Sequence, residues 1–277
     1  MTNASLNDFW PFLSHPLRRL SFVTTTIEAP SRWRHRRPKA QQTAVVVFDG
    51  DDTLWETERL YDDARTDAAK VVAAAGVDPG LWEDLQRTID VANVDRLGLS
   101  AERFPTSCVQ AYVCACDELG MEVDETVATT VRNAASQVFE WKAQPFSDAE
   151  GTLKQLSRER RLILLTQGDP SVQRKRVADS SLRRFFTRVV IVDRKTPSVL
   201  AEVLAKAGAD PSRSWFVGNS IPSDVNPALA VGMSAIWIEA HVWTHERREA
   251  LVDIEGRCVA VDSLSDVPAV VSSADQS

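Results

Sequence analysis

No stretch of this 277-residue sequence reaches the roughly 18–20 consecutive apolar residues that a membrane-spanning helix requires, because charged side chains interrupt every apolar segment after position 42. A membrane partner is therefore not expected. Cysteine is scarce: Cys108, Cys114, Cys116 and Cys258 lack the paired spacing of a zinc site or a secreted disulfide framework, which fits a reducing compartment. Cys114 and Cys116 stand two apart in a helical pattern and so face different ways. Positive charge is also in short supply. Lys and Arg number 32 against 39 Asp and Glu, giving a net charge of -7, whereas a general nucleic-acid binder would need clustered cations facing phosphates. No nucleic-acid partner is expected; small molecules are. Internal repeats and long low-complexity tracts are missing too. What remains is 44% hydrophobic and 26% charged, an ordinary composition for a soluble protein able to bury a sizeable core.

Residues 1–42 differ from the rest. Arg18, Arg19, Arg32, Arg34, Arg36, Arg37 and Lys39 face only Asp8 and Glu28. An arginine-rich, acid-poor segment of this kind describes an organelle transit peptide as well as a basic, flexible extension. The extension, on a cytoplasmic protein, is the expected reading, and the segment is left out of the fold.

From Thr43 onward, short β-branched runs alternate with helical patterns, which predicts an α/β fold with a parallel sheet. Strands are expected at AVVVF (44–48), RLILLT (161–166), RVVIVD (188–193), SWFVGN (214–219), SAIWIE (234–239) and CVAVDS (258–263). Their continuous apolar character implies burial on both faces. The span from about 56 to 145 breaks the rhythm: four segments carry apolar residues at helical spacing and none reads as a strand. Some 90 helical residues are too many for an ordinary crossover. They are expected to form a separate helical domain over 57–145, inserted into an α/β core made of 43–56 and 146–277.

The first strand ends in FDGDDT, with Asp49, Asp51 and Asp52 inside four positions. In an open parallel sheet, ligands bind at the carboxyl ends of strands. Carboxylates crowded there call for a cation or for acid/base work. Alone, DGDD reads equally well as a solvated turn. The other strand ends decide the matter: Thr166, Gln167 and Gly168 follow the second strand, Lys195 the third, and Asn219 and Asp224 the fourth. Exposed N–H groups beside Gly168 and the following helix start would suit an anion. Carboxylates, a hydroxyl, an ammonium and an amide together suit a phosphoryl group bound with a divalent cation.

With these residues in place the sequence resembles the haloacid dehalogenase (HAD) superfamily, in particular its phosphatases with a helical C1-type cap. FDGDDTL, LLTQG, Lys195 and GNSIPSD stand where that family has its motifs, and the insertion falls where a C1 cap is placed. The resemblance implies a Rossmann-like core and a Mg²⁺-dependent phosphatase acting on a small phosphorylated metabolite, with sugar phosphates, nucleotides and phosphoglycolate as the candidates. It implies that Asp49 is the nucleophile that becomes an aspartyl-phosphate, and Asp51 the general acid/base, a role that calls for a raised pKa supplied by a nearby like charge. Thr166 and Lys195 would hold the phosphoryl oxygens, and Asp49, the Asp51 carbonyl, Asn219 and Asp224 the Mg²⁺. Asn219 departs from the family pattern, which has an acidic residue there. A carbon–halogen hydrolase is the rival within the family, but a halide leaving group needs no acid, and Asp51 is present. A receiver-type signalling protein or a non-catalytic binding protein of the same fold are the rivals outside it.

For the substrate's remaining part, Trp55 and Tyr61 are candidates for stacking, and Arg96 and Arg103 for a second anionic group, although for each an ordinary packing or solvated-face role is the expected reading. His241 and His245, at i and i+4, lack an acidic residue between them and read as packing or solvated surface.

Overall fold

In the computed structural model, which describes residues 25–28, 43–239, 250–253 and 256–273, seven strands form one sheet. They are β1 (Thr25–Glu28), β2 (Val45–Phe48), β3 (Arg161–Gln167), β4 (Arg188–Val192), β5 (Trp215–Gly218), β6 (Ser234–Ile238) and β7 (Cys258–Val261). The order across the sheet is β1-β4-β3-β2-β5-β6-β7. All neighbours from β4 to β7 run parallel, so the six strands expected from the sequence form one parallel sheet. β1 is the addition: it pairs antiparallel with β4, inside the stretch read from sequence as an extension outside the fold. Its TTIE sequence is β-branched, and the far side of β4 offers it an open edge. The remainder of residues 1–42 lies outside the described residues, as do His241 and His245.

β2 lies in the middle, where chain order reverses between β3 on one side and β5 on the other. Such a reversal opens a crevice at the carboxyl ends of the strands. All four β2 residues are buried, because the pleat sends Val46 and Phe48 to one face and Val45 and Val47 to the other. On the first face they meet residues of α5 (Ala149–Leu156), α6 (Pro170–Ser180) and α9 (Val267–Ser273); on the second, residues of α7 (Pro197–Ala207) and α8 (Asn226–Ala230). A strand covered on both sides has no use for alternation, which is why VVVF carries none.

The insertion consists of α1 (Glu58–Ala74), α2 (Pro79–Leu97), α3 (Arg103–Leu119) and α4 (Glu125–Ser136), closed by a 3₁₀ turn at Gln137–Phe139. It has its own core around Val72, Trp82, Phe104, Cys108, Tyr112 and Val131. A fully buried Phe such as Phe104 contributes roughly 1.5–3 kcal/mol relative to exposure. α2 and α4 start at Asp side chains: Asp78 accepts from Leu81 N at 2.8 Å, and Asp124 from Thr126 N at 2.7 Å. The two connections to the sheet are bonded to each other. Glu56 N donates to Gln144 O at 2.9 Å, Phe146 N donates to Leu54 O at 3.1 Å, and Trp55 pairs antiparallel with Pro145. No helix among the described residues is long and apolar enough to cross a membrane.

Candidate active site

Asp49 is the first residue past β2, and its amide donates to Val217 O of β5 at 2.9 Å, which fixes its backbone at the centre of the crevice. The residue is only 5% exposed. Lys195 Nζ donates to Asp49 Oδ1 and, at 2.6 Å, to Asp224 Oδ1, so one buried ammonium bridges two strand-end carboxylates. Thr53 Oγ1 lies 3.2 Å from Asp49 Oδ2 and 3.1 Å from Asn219 Oδ1, with one proton to share between them. Asp224 Oδ2 accepts from Ser220 N at 3.0 Å. Gly218 makes this possible: a Cβ there would stand 2.3 Å from Asp224 Oδ2, so only glycine lets the carboxylate lie against β5.

Burial has the largest influence on Asp49 and pushes its carboxyl from 3.8 up to about 7; Asp224 and Asp51 add to this, while Lys195 opposes it. Burial also works against the Lys195 ammonium. There Asp224 and Asp49 outweigh it and hold the pKa above its ordinary value. A divalent cation beside Asp49 would favour its ionised form.

Asp51 meets something the sequence reading did not foresee. Besides its like-charged neighbours it has a cation in contact: Arg176 Nη1 donates to Asp51 Oδ2. Gln173 Nε2 donates to the same oxygen at 2.8 Å, and Trp55 Nε1 to Asp51 Oδ1 at 2.7 Å. Gln173 also accepts from Thr166 Oγ1 at 2.9 Å, linking the two residues. Both Gln173 and Arg176 come from the first two turns of α6, three apart on one face. Because α6 begins at the end of β3, its opening turns necessarily flank the crevice; that geometry was the available signal for them. Asp52 turns away from its neighbours. Its φ of 55° points it at the start of α1, where it accepts from Thr57 N at 2.8 Å and Glu58 N at 3.0 Å. Burial raises its pKa against these bonds.

The helix start after β3 is less open to an anion than expected. Asp169 Oδ1 takes Ser171 N at 2.8 Å and Val172 N at 3.3 Å, and Gly168 N donates to Val192 O at 3.0 Å. Gly168, at φ +128°, instead permits a close approach to the insertion, where Leu99 O is 3.7 Å from the position a Cβ would take.

A cavity of about 140 Å³ joins these groups to the insertion. At 10–15 Å³ for each water, it has room for roughly ten, the scale of a small metabolite and not of a polymer. Asp49, Asp51, Thr166, Gln167, Gly168, Lys195, Asn219 and Asp224 all line it, as do Tyr61 and Arg103 from the insertion. Two expected residues do not. Trp55 is fully buried, its ring pressed against Gly50 and its Nε1 committed to Asp51, so it has no face to offer a ligand. Arg96 is exposed and outside the cavity, its Nη2 donating to Asn93 Oδ1 at 2.9 Å. The helix turns it to solvent, three positions along from the buried Asn93. Among the described residues no three His, Cys, Asp or Glu side chains are grouped as a metal centre; the donors here are two carboxylates and an amide.

Known proteins are similar to this chain in sequence and in fold. The human N-acylneuraminate-9-phosphatase is 25% identical over 253 residues, covering 83% of this chain and 94% of its own. The glyceraldehyde 3-phosphate phosphatase of Methanopyrus kandleri is 25% identical over 203 residues, covering 70% of this chain and 83% of its own. In fold, a haloacid dehalogenase-like family hydrolase from Xanthomonas campestris is similar with a TM-score of 0.70 at 23% identity, over 87% of this chain and 95% of that one. The family described as haloacid dehalogenase-like hydrolase matches residues 43–232, more than two thirds of the sequence, and this chain belongs to it.

Proposed function

We propose that this protein is a Mg²⁺-dependent phosphatase of small phosphorylated metabolites that works through an aspartyl-phosphate on Asp49. The observation that carries the reading is the convergence of Asp49, Asp51, Thr166, Lys195 and Asp224 on one small cavity. The relatives named for phosphatase activity support it, and Asp51 separates it from carbon–halogen hydrolysis, where the leaving group needs no proton.

In this mechanism an Asp49 carboxylate oxygen attacks phosphorus in line with the ester oxygen. The bond to the leaving oxygen breaks, and Asp51 supplies that oxygen's proton. Asp51, now a carboxylate, then takes a proton from the water that attacks the phosphorus of the intermediate, which frees Asp49 and releases phosphate. Lys195 and the Thr166 hydroxyl hold phosphoryl oxygens, and Lys195 offsets charge around Asp49. To act, Asp51 exchanges its Arg176 and Gln173 contacts for the leaving group. The helical insertion serves as a cap that keeps bulk water from the reacting groups.

The donor set fits Mg²⁺, a hard cation that binds through one or two carboxylates and retains several waters. Asp49 and Asp224 would hold it, with Asn219 Oδ1 as a neutral third donor and the Asp51 carbonyl as a fourth. When bound, the ion offsets negative charge on the phosphoryl group and the carboxylates around it.

The test is phosphate release from a panel of phosphomonoesters with and without Mg²⁺, beside Asp49→Asn. Metal-dependent release by the wild type and none by the variant is expected. Equal release by both would remove Asp49 from the mechanism. A stable phosphoprotein without turnover would favour a signalling role.

A further inference from the structure

The insertion's wall of the cavity carries charges of its own, and they are already matched. Arg103 Nη1 donates to the Asp90 carboxylate, and Arg65 Nη1 to Asp62, while Arg65 Nε donates to Gln86 Oε1 at 2.9 Å. Arg65, Asp90 and Arg103 all line the cavity and are at most 7% exposed. Two arginines facing a phosphate site suggest a second anionic group on the substrate, as the sequence reading had it for Arg103. Their pairing argues the opposite. Each guanidinium has a carboxylate in contact, and at Arg103 a second anion would compete with a buried ion pair whose disruption leaves a charge uncompensated.

What this wall does offer is an acceptor. Asp90 Oδ2 takes Arg103, but Asp90 Oδ1 is buried and meets no donor from the protein. Buried polar atoms in native proteins are nearly always hydrogen-bonded, and a carboxylate oxygen left without a donor is among the costliest exceptions. An ion-paired carboxylate can accept and cannot donate. A ligand satisfies it with an O–H, and repels it with another carboxylate.

We infer that Asp90 is a specificity-determining residue that accepts a hydrogen bond from a hydroxyl of the substrate, so that the preferred class is the neutral polyhydroxylated phosphomonoester, a sugar or polyol phosphate. This rests on the phosphatase reading above and narrows it. Arg103 is then a positioning residue, holding the Asp90 carboxylate at the cavity wall with one oxygen engaged and the other left without a protein donor. A site built to bond a hydroxyl discriminates strongly against an analogue without it, since the buried acceptor is then unpaired.

The experiment compares kcat/KM for a hexitol 6-phosphate, n-hexyl phosphate and 6-phosphogluconate, which share a six-carbon chain and differ in hydroxyls and in a second charge. In the wild type the hexitol phosphate is expected to lead each of the others by roughly 10- to 100-fold. In Asp90→Asn, which keeps an acceptor oxygen, the lead over hexyl phosphate should shrink. In Asp90→Leu/Arg103→Met, which removes both partners of the ion pair together, it should vanish, with the change carried by KM more than by kcat. A merely structural role would lower all substrates alike and leave the ratio standing, and that outcome overturns the inference. So does a wild type that prefers 6-phosphogluconate or treats all three alike; both results leave the phosphatase reading intact. Phosphate release from none of the three, nor from any phosphomonoester of the wider panel, overturns the reading and the inference together. Should the double variant fail to fold, the wild-type ratio decides.

Discussion

The two walls of the cavity are made differently. On the sheet side, the groups stand at the ends of β2, β3 and β5 and in the loop after β4, where strand direction and backbone hydrogen bonds fix them, and they share charge through Lys195. On the helical side, Arg65, Asp90 and Arg103 project from helix faces and are held by pairwise contacts. The first wall is arranged around a reaction, with three carboxylates facing two cations. The second pairs each arginine with a carboxylate, Arg65 with Asp62 and Arg103 with Asp90. On the proposed reading, chemistry is placed by the main chain, and selection by side-chain packing.

The comparison breaks most sharply at Asp49. Asp49→Asn should reduce phosphate release by roughly 10³-fold or more while the far-ultraviolet spectrum stays that of the wild type. The same variant has a signature in stability. Burial raises the Asp49 carboxyl to about 7, so the folded protein keeps a proton there that the unfolded chain, near 3.8, gives up. The group's favourable contribution is whole below about pH 4 and is lost as pH climbs through 7. Without added metal, the melting temperature of Asp49→Asn relative to wild type should therefore be higher at pH 8 than at pH 4. A difference that does not change with pH would mean that Asp49 is not held in this environment.

Next in size is Gly218→Ala. The added methyl cannot coexist with Asp224, and overpacking of this kind costs about 1–3 kcal/mol. Displacement of Asp224 also takes one of Lys195's two partners, so turnover and the Mg²⁺ response should fall together. If turnover survives with only stability lost, Asp224 is not needed in its observed position. Trp55→Phe should have a smaller effect. It keeps most of the buried ring and removes one donor to Asp51, a bond of about 1 kcal/mol, so kcat should drop several-fold with KM little changed. A change in KM alone would return Trp55 to substrate contact. Smallest of all is Arg96→Ala, an exposed residue outside the cavity, expected within about twofold of wild type on every substrate. A selective loss on anionic substrates would show that Arg96 reaches the ligand.

The same contrast explains what could be read in the sequence. FDGDDT, TQG, Lys195 and GNSIPSD were legible because a residue that follows a buried parallel strand has nowhere to be but the crevice. The apolar runs gave the six parallel strands for the same reason. Trp55 and Arg96 were misplaced because sequence spacing says only that they are near the loop or on a helix. Which way they point depends on Gly50 leaving room for an indole, and on the turn by which α2 faces Arg96 to solvent. Asp52, one of three crowded carboxylates in the sequence, lines the cavity but is turned by one left-handed backbone angle to the start of α1. Gln173 and Arg176 were hidden inside PSVQRKRVADSS, since a polar helix start shows which residues are close but not which are engaged. β1 could not be anticipated because its partner, the free edge of β4, exists only once the sheet has been ordered.

The bridge between Trp55 and Pro145 means that the chain leaves the sheet and comes back to it at one place. Backbones paired in this manner are about 4.5–5.5 Å apart, a gap that a two-residue Asn-Gly turn spans in ordinary hairpins. Excision of residues 57–143, or their exchange for another helical module grafted to the same neck, is accordingly expected to leave strand order unaltered. Such chimaeras would keep one catalytic machine and acquire a different clientele, a modularity written into a single pair of facing backbones.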